Sequence, residues 1–104
     1  MAIMQGTTPT HTFNLPFDTN IIKTVRIIYS QCGEKLFSRE NKDDNVTLEG
    51  TQVRTTLTQQ ETLSMDPEKV VEIQLRIVTL GGEVANSRVI RVSAERCLED
   101  EVIE

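Results

Sequence analysis

The stretch K-V-V-E-I-Q-L-R-I-V-T-L-G-G-E-V-A-N-S-R-V-I-R-V-S-A, residues 69–94, decides the fold class. Its first half places Val71, Ile73, Leu75 and Ile77 on one side and Glu72, Gln74 and Arg76 on the other. That period of two belongs to a half-buried β-strand. Gly81-Gly82 supplies the backbone freedom for a two-residue hairpin loop, and Glu83–Ala94 returns antiparallel. Such a loop sets Ile90 opposite Ile73 and Val92 opposite Val71. It also sets Leu75 against Arg88 and Ile77 against Asn86, which predicts an open end of the sheet or a bulge near Ala85–Ser87.

Working outward, the same pattern recurs. Ile21–Gln31 is long and β-branched, with Val25, Ile27 and Tyr29 at period two and Ile22 and Ile28 on the other face, so a central strand is expected. Cys32-Gly33 turns the chain into Lys35–Arg39. Tyr29 opposite Leu36 and Ile28 opposite Phe37 pair equally well there, and the residues leave open which pair faces inward. Glu40–Asn45 is a polar loop. Val46–Leu48, a turn at Glu49-Gly50 and Thr51–Leu57 form a second hairpin, with Val46 opposite Val53 and Leu48 opposite Thr51. Thr58-Gln59-Gln60-Glu61 has the capping-box pattern and predicts one helical turn ending near Ser64; Asp66-Pro67 then opens a new turn. Near the start, Thr10–Phe17 puts Phe13, Leu15 and Phe17 on one side. Pro9 and Pro16 bracket it, and since proline cannot donate to a ladder, an edge strand is expected.

About seven strands with turns at this spacing fit two stacked antiparallel sheets, because a single sheet would leave one apolar face in water. The expected fold is an all-β, immunoglobulin-like β-sandwich with one short helical turn. It spans residues 1–97, followed by an acidic tail, 98–104. In that tail Leu98, Val102 and Ile103 admit a short helix that docks on another protein, or a frayed end.

The 104 residues suit one domain with one core. The formal net charge of −5 argues against phosphate backbones and acidic membranes as partners. Lys23, Arg26, Lys35, Arg39 and Lys42 reinforce this, being interleaved with Glu34, Glu40, Asp43 and Asp44. Two cysteines, Cys32 and Cys97, are too few for a disulfide framework and point to folding in a reducing cytoplasm. M-A-I-M-Q-G-T-T-P-T has no basic and apolar leader regions, so no signal peptide is expected. No stretch approaches the ~20 apolar residues of a membrane span.

No catalytic constellation is visible. His11 is the single histidine; it has no evident nucleophile or orienting group and reads as a surface or rim residue. His11, Cys32 and Cys97 lack the paired spacing of a structural zinc site. Glu40, Asp43, Asp44 and Asn45 lack the alternation of a calcium loop and read as a solvated connection. Gly81-Gly82 has no phosphate-loop pattern, and no serine lies in a G-x-S-x-G elbow. The Ser and Thr residues read as strand formers on solvent faces. No cofactor, metal or small-molecule substrate is expected. With no Trp, one Tyr and three Phe, a carbohydrate- or host-surface-binding module is the alternative function, and the aromatic shortage counts against it and against single-stranded nucleic acid. Contact with other proteins is the expected activity. Its candidates are the edge residues Thr10, Thr12 and Asn14, where another chain can add a strand, and the tail residues Leu98, Val102 and Ile103.

Four segments carry a resemblance. They are G-T-T-P-T-H-T-F-N-L-P-F-D (6–18), V-R-I-I-Y-S-Q (25–31), L-T-Q-Q-E-T-L-S-M (57–65) and V-E-I-Q-L-R-I-V-T-L-G-G (71–82). In this order they resemble small immunoglobulin-like proteins from prophage tail gene clusters of Gram-positive bacteria, and the N-terminal domain of phage baseplate upper proteins. The resemblance implies a non-enzymatic virion component of the tail or baseplate. Such a protein would be made in the bacterial host cytoplasm, carried into the virion, and partnered by other tail proteins or by itself. Baseplate upper proteins continue past this domain into oligomer-building segments, so the resemblance does not extend to a full receptor-binding role. The matched motifs are structural and transfer no functional residues.

Overall fold

A computed structural model describes residues 2–98 and 101–103. In chain order the strands are β1 (Ala2–Met4), β2 (Thr10–Asn14), β3 (Ile22–Gln31), β4 (Glu34–Glu40), β5 (Val46–Glu49), β6 (Gln52–Thr56), β7 (Val71–Thr79), β8 (Val84–Asn86) and β9 (Ile90–Glu95). A 3-10 turn, Thr19–Ile21, precedes β3, and helix α1, Gln59–Leu63, follows β6. Six strands form one sheet in the order β1-β9-β7-β3-β4, with β8 beside β7; β2-β6-β5 form the other. Every pairing is antiparallel except β1 with β9.

This strand order is diagnostic. An immunoglobulin sandwich sets B-E-D against C-F-G, and variable-type domains add C′ beside C. Here β2, β6 and β5 occupy B, E and D; β3, β7 and β9 occupy C, F and G; β4 occupies C′. The chain is an immunoglobulin-like β-sandwich. Strand β1 lies on the G edge, so the place beside β2, where constant-type domains carry strand A, holds no strand among the described residues.

The core follows from period two. Val25, Ile27 and Tyr29 of β3 and Val71, Ile73, Leu75 and Ile77 of β7 are buried against Phe13 of β2 and Val53 of β6. Leu57, Met65 and Ile3 close the ends. The capping box forms as expected: Thr58 Oγ1 accepts from Glu61 N–H and Glu61 Oε1 accepts from Thr58 N–H.

The hairpins depart from the expected registers in three places, each for a backbone reason. The second hairpin turns at Gly50-Thr51, not Glu49-Gly50, and pairs Val46 with Thr55 and Leu48 with Val53. Gly50 has φ +57, and a type II′ turn requires glycine at its first central position; the alternative would have forced Glu49 toward positive φ. In the β3–β4 hairpin an extra residue near Leu36 shifts the ladder, so Tyr29 faces Phe37 and Ile28 faces Ser38. That bulge turns Phe37 and Arg39 toward the core side. The β7–β8 loop holds three residues, not two: Thr79 N–H donates to Glu83 C=O, Gly82 has φ +86, and Ile77 faces Ala85 instead of Asn86. A bulge over 87–89 then restores one residue, and Ile73 meets Ile90 and Val71 meets Val92 as expected. At the bulge Ser87 substitutes for the ladder, its N–H donating to Leu75 C=O and its Oγ accepting from Leu75 N–H.

Candidate functional site

Strand β2 is an edge strand. Pro9 C=O accepts from Leu57 N–H, and Leu15 N–H donates to Thr51 C=O. In an antiparallel ladder hydrogen-bonded pairs alternate, so the odd-numbered residues of β2 bond toward β6. Thr10, Thr12 and Asn14 therefore direct their own N–H and C=O groups outward, and all three are exposed. Their side chains are short and uncharged. Thr10 Oγ1 and Thr56 Oγ1 lie 2.9 Å apart, and Asn14 Oδ1 accepts from Gln52 Nε2 at 3.1 Å. None of them obstructs the edge.

The tail candidates divide. Gln59 donates to Ile103 C=O at 2.8 Å and accepts from Ile103 N–H at 2.9 Å, so one amide side chain holds both polar groups of one backbone residue. Val102 sits in a recess with Thr8, Asn45, Thr56, Leu57 and Gln59. That recess lies at the Thr10 end of β2, so the structure brings Val102 and Ile103 to the same end as the open edge. Leu98 is apart from them, fully exposed beside Gln5 and Pro67. Residues 101–103 are not helical; Glu99, Asp100 and Glu104 lie outside the described residues.

Inside the sandwich is a polar column that sequence reasoning missed. His11 is 4% exposed, a buried residue and not a rim one, because it shares the inward face of β2 with Phe13. Its Nδ1 lies 2.7 Å from the Tyr29 hydroxyl. The His11 and Tyr29 rings stack at 5.8 Å, and Tyr29 stacks on Phe37 at 4.7 Å. The guanidinium of Arg39 lies over Phe37, 5.1 Å from the ring centre. Arg39, read from sequence as one of several basic residues interleaved with acidic ones, is 4% exposed. It donates to Thr55 Oγ1 at 3.0 Å and Thr56 C=O at 2.9 Å, and pairs with the Glu61 carboxylate. Arg39 Nε has no partner. Thr55 and Thr62 are buried too, against the expectation of solvent-facing threonines.

The electrostatics of this column follow from burial. Desolvation, aided by the Arg39 charge, lowers the His11 pKa from its ordinary 6.5. Desolvation also raises the Tyr29 pKa well above its ordinary value; Arg39 opposes this and Glu61 adds to it. Each ring is thereby held neutral, and the pair shares a hydrogen bond between two sheets. Arg39–Glu61 likewise ties β4 to α1. The column is a cross-brace, buried at His11, Tyr29 and Arg39 and partly exposed at Phe37 and Glu61. Among the described residues no group of three or more His, Cys, Asp or Glu side chains gathers as a metal site. Cys32 and Cys97 are both free.

No protein-family model and no curated protein sequence matches the chain. Among the solved structures that match the chain are these two. One is the V domain of amphioxus IgVJ-C2, 10% identical, with 91% of this chain and 99% of that one covered and a TM-score of 0.38. The other is extracellular domains 3–5 of Drosophila OTK, 16% identical, with 92% of this chain and 31% of that one covered and a TM-score of 0.39. The fold assignment rests on the strand order described above.

Proposed function

We propose that this chain is a non-enzymatic structural or assembly protein of a phage or prophage tail or baseplate, acting through contacts with other tail proteins. On this reading it is made in the bacterial host cytoplasm and carried into the virion. The observation that carries the contact role is the open edge of β2. A five-residue strand displays unpaired backbone groups at Thr10, Thr12 and Asn14 where related sandwiches carry a further strand. Natural edges are usually blunted by charge, proline or a cover; this one has uncharged side chains along its length. The tail residues Val102 and Ile103 border its Thr10 end and extend the same surface. The phage context comes from the sequence resemblance of the four segments.

The test mixes the purified chain with the tail and baseplate proteins encoded beside it and measures mass by light scattering. A complex is expected with at least one of them, and it should be lost when Thr12→Pro removes the outward N–H. A chain that stays separate in every mixture would overturn the proposal.

A further inference from the structure

The outer face of the larger sheet carries an unresolved charge problem. In the β3–β7 ladder Arg26 lies directly opposite Arg76, and like charges in that position repel. Glu40 pairs with Arg26 at 3.3 Å and also faces Lys42 at 3.7 Å. Farther along, Glu72 is taken by Arg91 at 3.3 Å. Arg76 has no carboxylate within ion-pair reach among the described residues; its Nε donates to Asn86 Oδ1 at 3.1 Å, leaving the two terminal nitrogens free. Arg26 and Arg76, with Thr24, Val78 and Val84, line a shallow groove of about 160 Å³. Its walls are mostly apolar and its rim is cationic, on a chain whose net charge is −5.

The complementary chemistry is in the chain itself. Residues 98–104, L-E-D-E-V-I-E, combine four carboxylate side chains with three aliphatic ones. Gln59 holds the backbone of Ile103 on the domain's own surface, while Glu101 and the side chains of Val102 and Ile103 remain exposed. Residues 101–103 are thus presented to solvent with the Ile103 backbone already anchored, which lowers the ordering cost of binding.

We infer that the Arg26–Arg76 groove takes the acidic carboxy-terminal segment of a second copy of this chain. Carboxylates of that segment meet the two guanidiniums, and Val102 and Ile103 lie against Val78 and Val84. Groove and segment are different surfaces, so the contact is head-to-tail and adds copies in a row until geometry closes a ring. The inference rests on these surfaces and stands apart from the virion reading.

Light scattering on the full chain alone tests it. In low salt the mean mass should rise with concentration past the dimer, and in about 1 M salt, where the screening length falls to about 3 Å, the chain should be monomeric. Arg76→Glu and Glu101→Lys should each weaken association about tenfold or more. An equimolar mixture of the two should recover it, because the reversed groove then faces a reversed segment. A monomer at every concentration in low salt would overturn the inference. So would association indifferent to salt and to both substitutions, or weakening without recovery in the mixture.

Discussion

Arg39 and His11 show how single polar residues hold a small sandwich in one arrangement. The two terminal nitrogens of the guanidinium are held by Thr55, Thr56 and Glu61 together, while Nε has no partner, and removing one member of such a set leaves the others desolvated. Glu61→Ala should destabilise the protein by about 3 kcal/mol, since it strands a buried charge. Glu61→Gln should cost less, because its one amide oxygen still accepts a hydrogen bond from Arg39, while the bond from Thr58 N–H to the other carboxylate oxygen is lost. Urea midpoints for the two variants check this, and equal losses would contradict it. His11 predicts a pH dependence. Its pKa is depressed in the folded state, so below pH 6.5 the unfolded chain takes up a proton that the native state refuses. Stability is therefore full above about pH 6.5 and falls as pH drops toward the folded value, by up to about 1.4 kcal/mol per pH unit for one proton. Because His11 is the single histidine, His11→Phe should flatten the profile between about pH 5 and 6.5, whatever it does to absolute stability. Neither residue was legible as buried. Arg39 sits in a run of alternating charges, and Glu61 already had a full role in the capping box, so nothing in the sequence called for their pairing.

At the scale of elements, legibility tracked how much of the register was written in side chains. The alternation of β7 and the prolines around β2 are side-chain properties; β7 appears where expected, and β2 starts at Thr10 as expected but ends at Asn14, short of the expected Phe17. The hairpin registers depended on which residue adopts positive φ and on a bulge at Leu36 that no periodicity marks; the second bulge, expected as one of two alternatives near Ala85–Ser87, lies over 87–89. In the β7–β9 pair two single-residue departures, a longer loop and a later bulge, cancel, so the expected pairing of Ile73 with Ile90 holds although the connection differs. The β2 edge gives the sharpest test of ladder geometry. Thr12 points its N–H away from β6, so Thr12→Pro removes no internal hydrogen bond and should cost at most about 1 kcal/mol, edge positions being where strands accept proline. Phe13→Pro removes a ladder bond and a buried side chain, and should cost about 3 kcal/mol or more. Thermal unfolding of the two variants separates them, and a Thr12→Pro protein as unstable as Phe13→Pro would mean the outward edge is paired.

For the whole molecule, the two ends contribute unequally to one core. Strand β1 is three residues long, too short for any period to show, and its place is set by its partner: parallel to β9, with Ile3 opposite Ala94. Ile3 is nonetheless among the most deeply buried side chains. Gln5 extends the attachment, donating to Met65 C=O at 2.7 Å and Glu95 C=O at 2.9 Å and accepting from Cys97 N–H at 3.1 Å. The amino-terminal segment thus ties the G-position strand to the turn after α1. At the other end, residues 101–103 bond to one side chain, Gln59, and leave their apolar groups exposed. Ile3→Ala should therefore cost about 2–4 kcal/mol, through lost burial and the cavity left behind. Removing residues 98–104 should cost less than about 1 kcal/mol, in line with the loss of surface contacts. Equilibrium unfolding in urea of the two variants, at a protein concentration low enough to keep both monomeric, decides the matter. A tail deletion as costly as Ile3→Ala would show that the carboxy-terminal segment is part of the core and is not held in reserve on the surface.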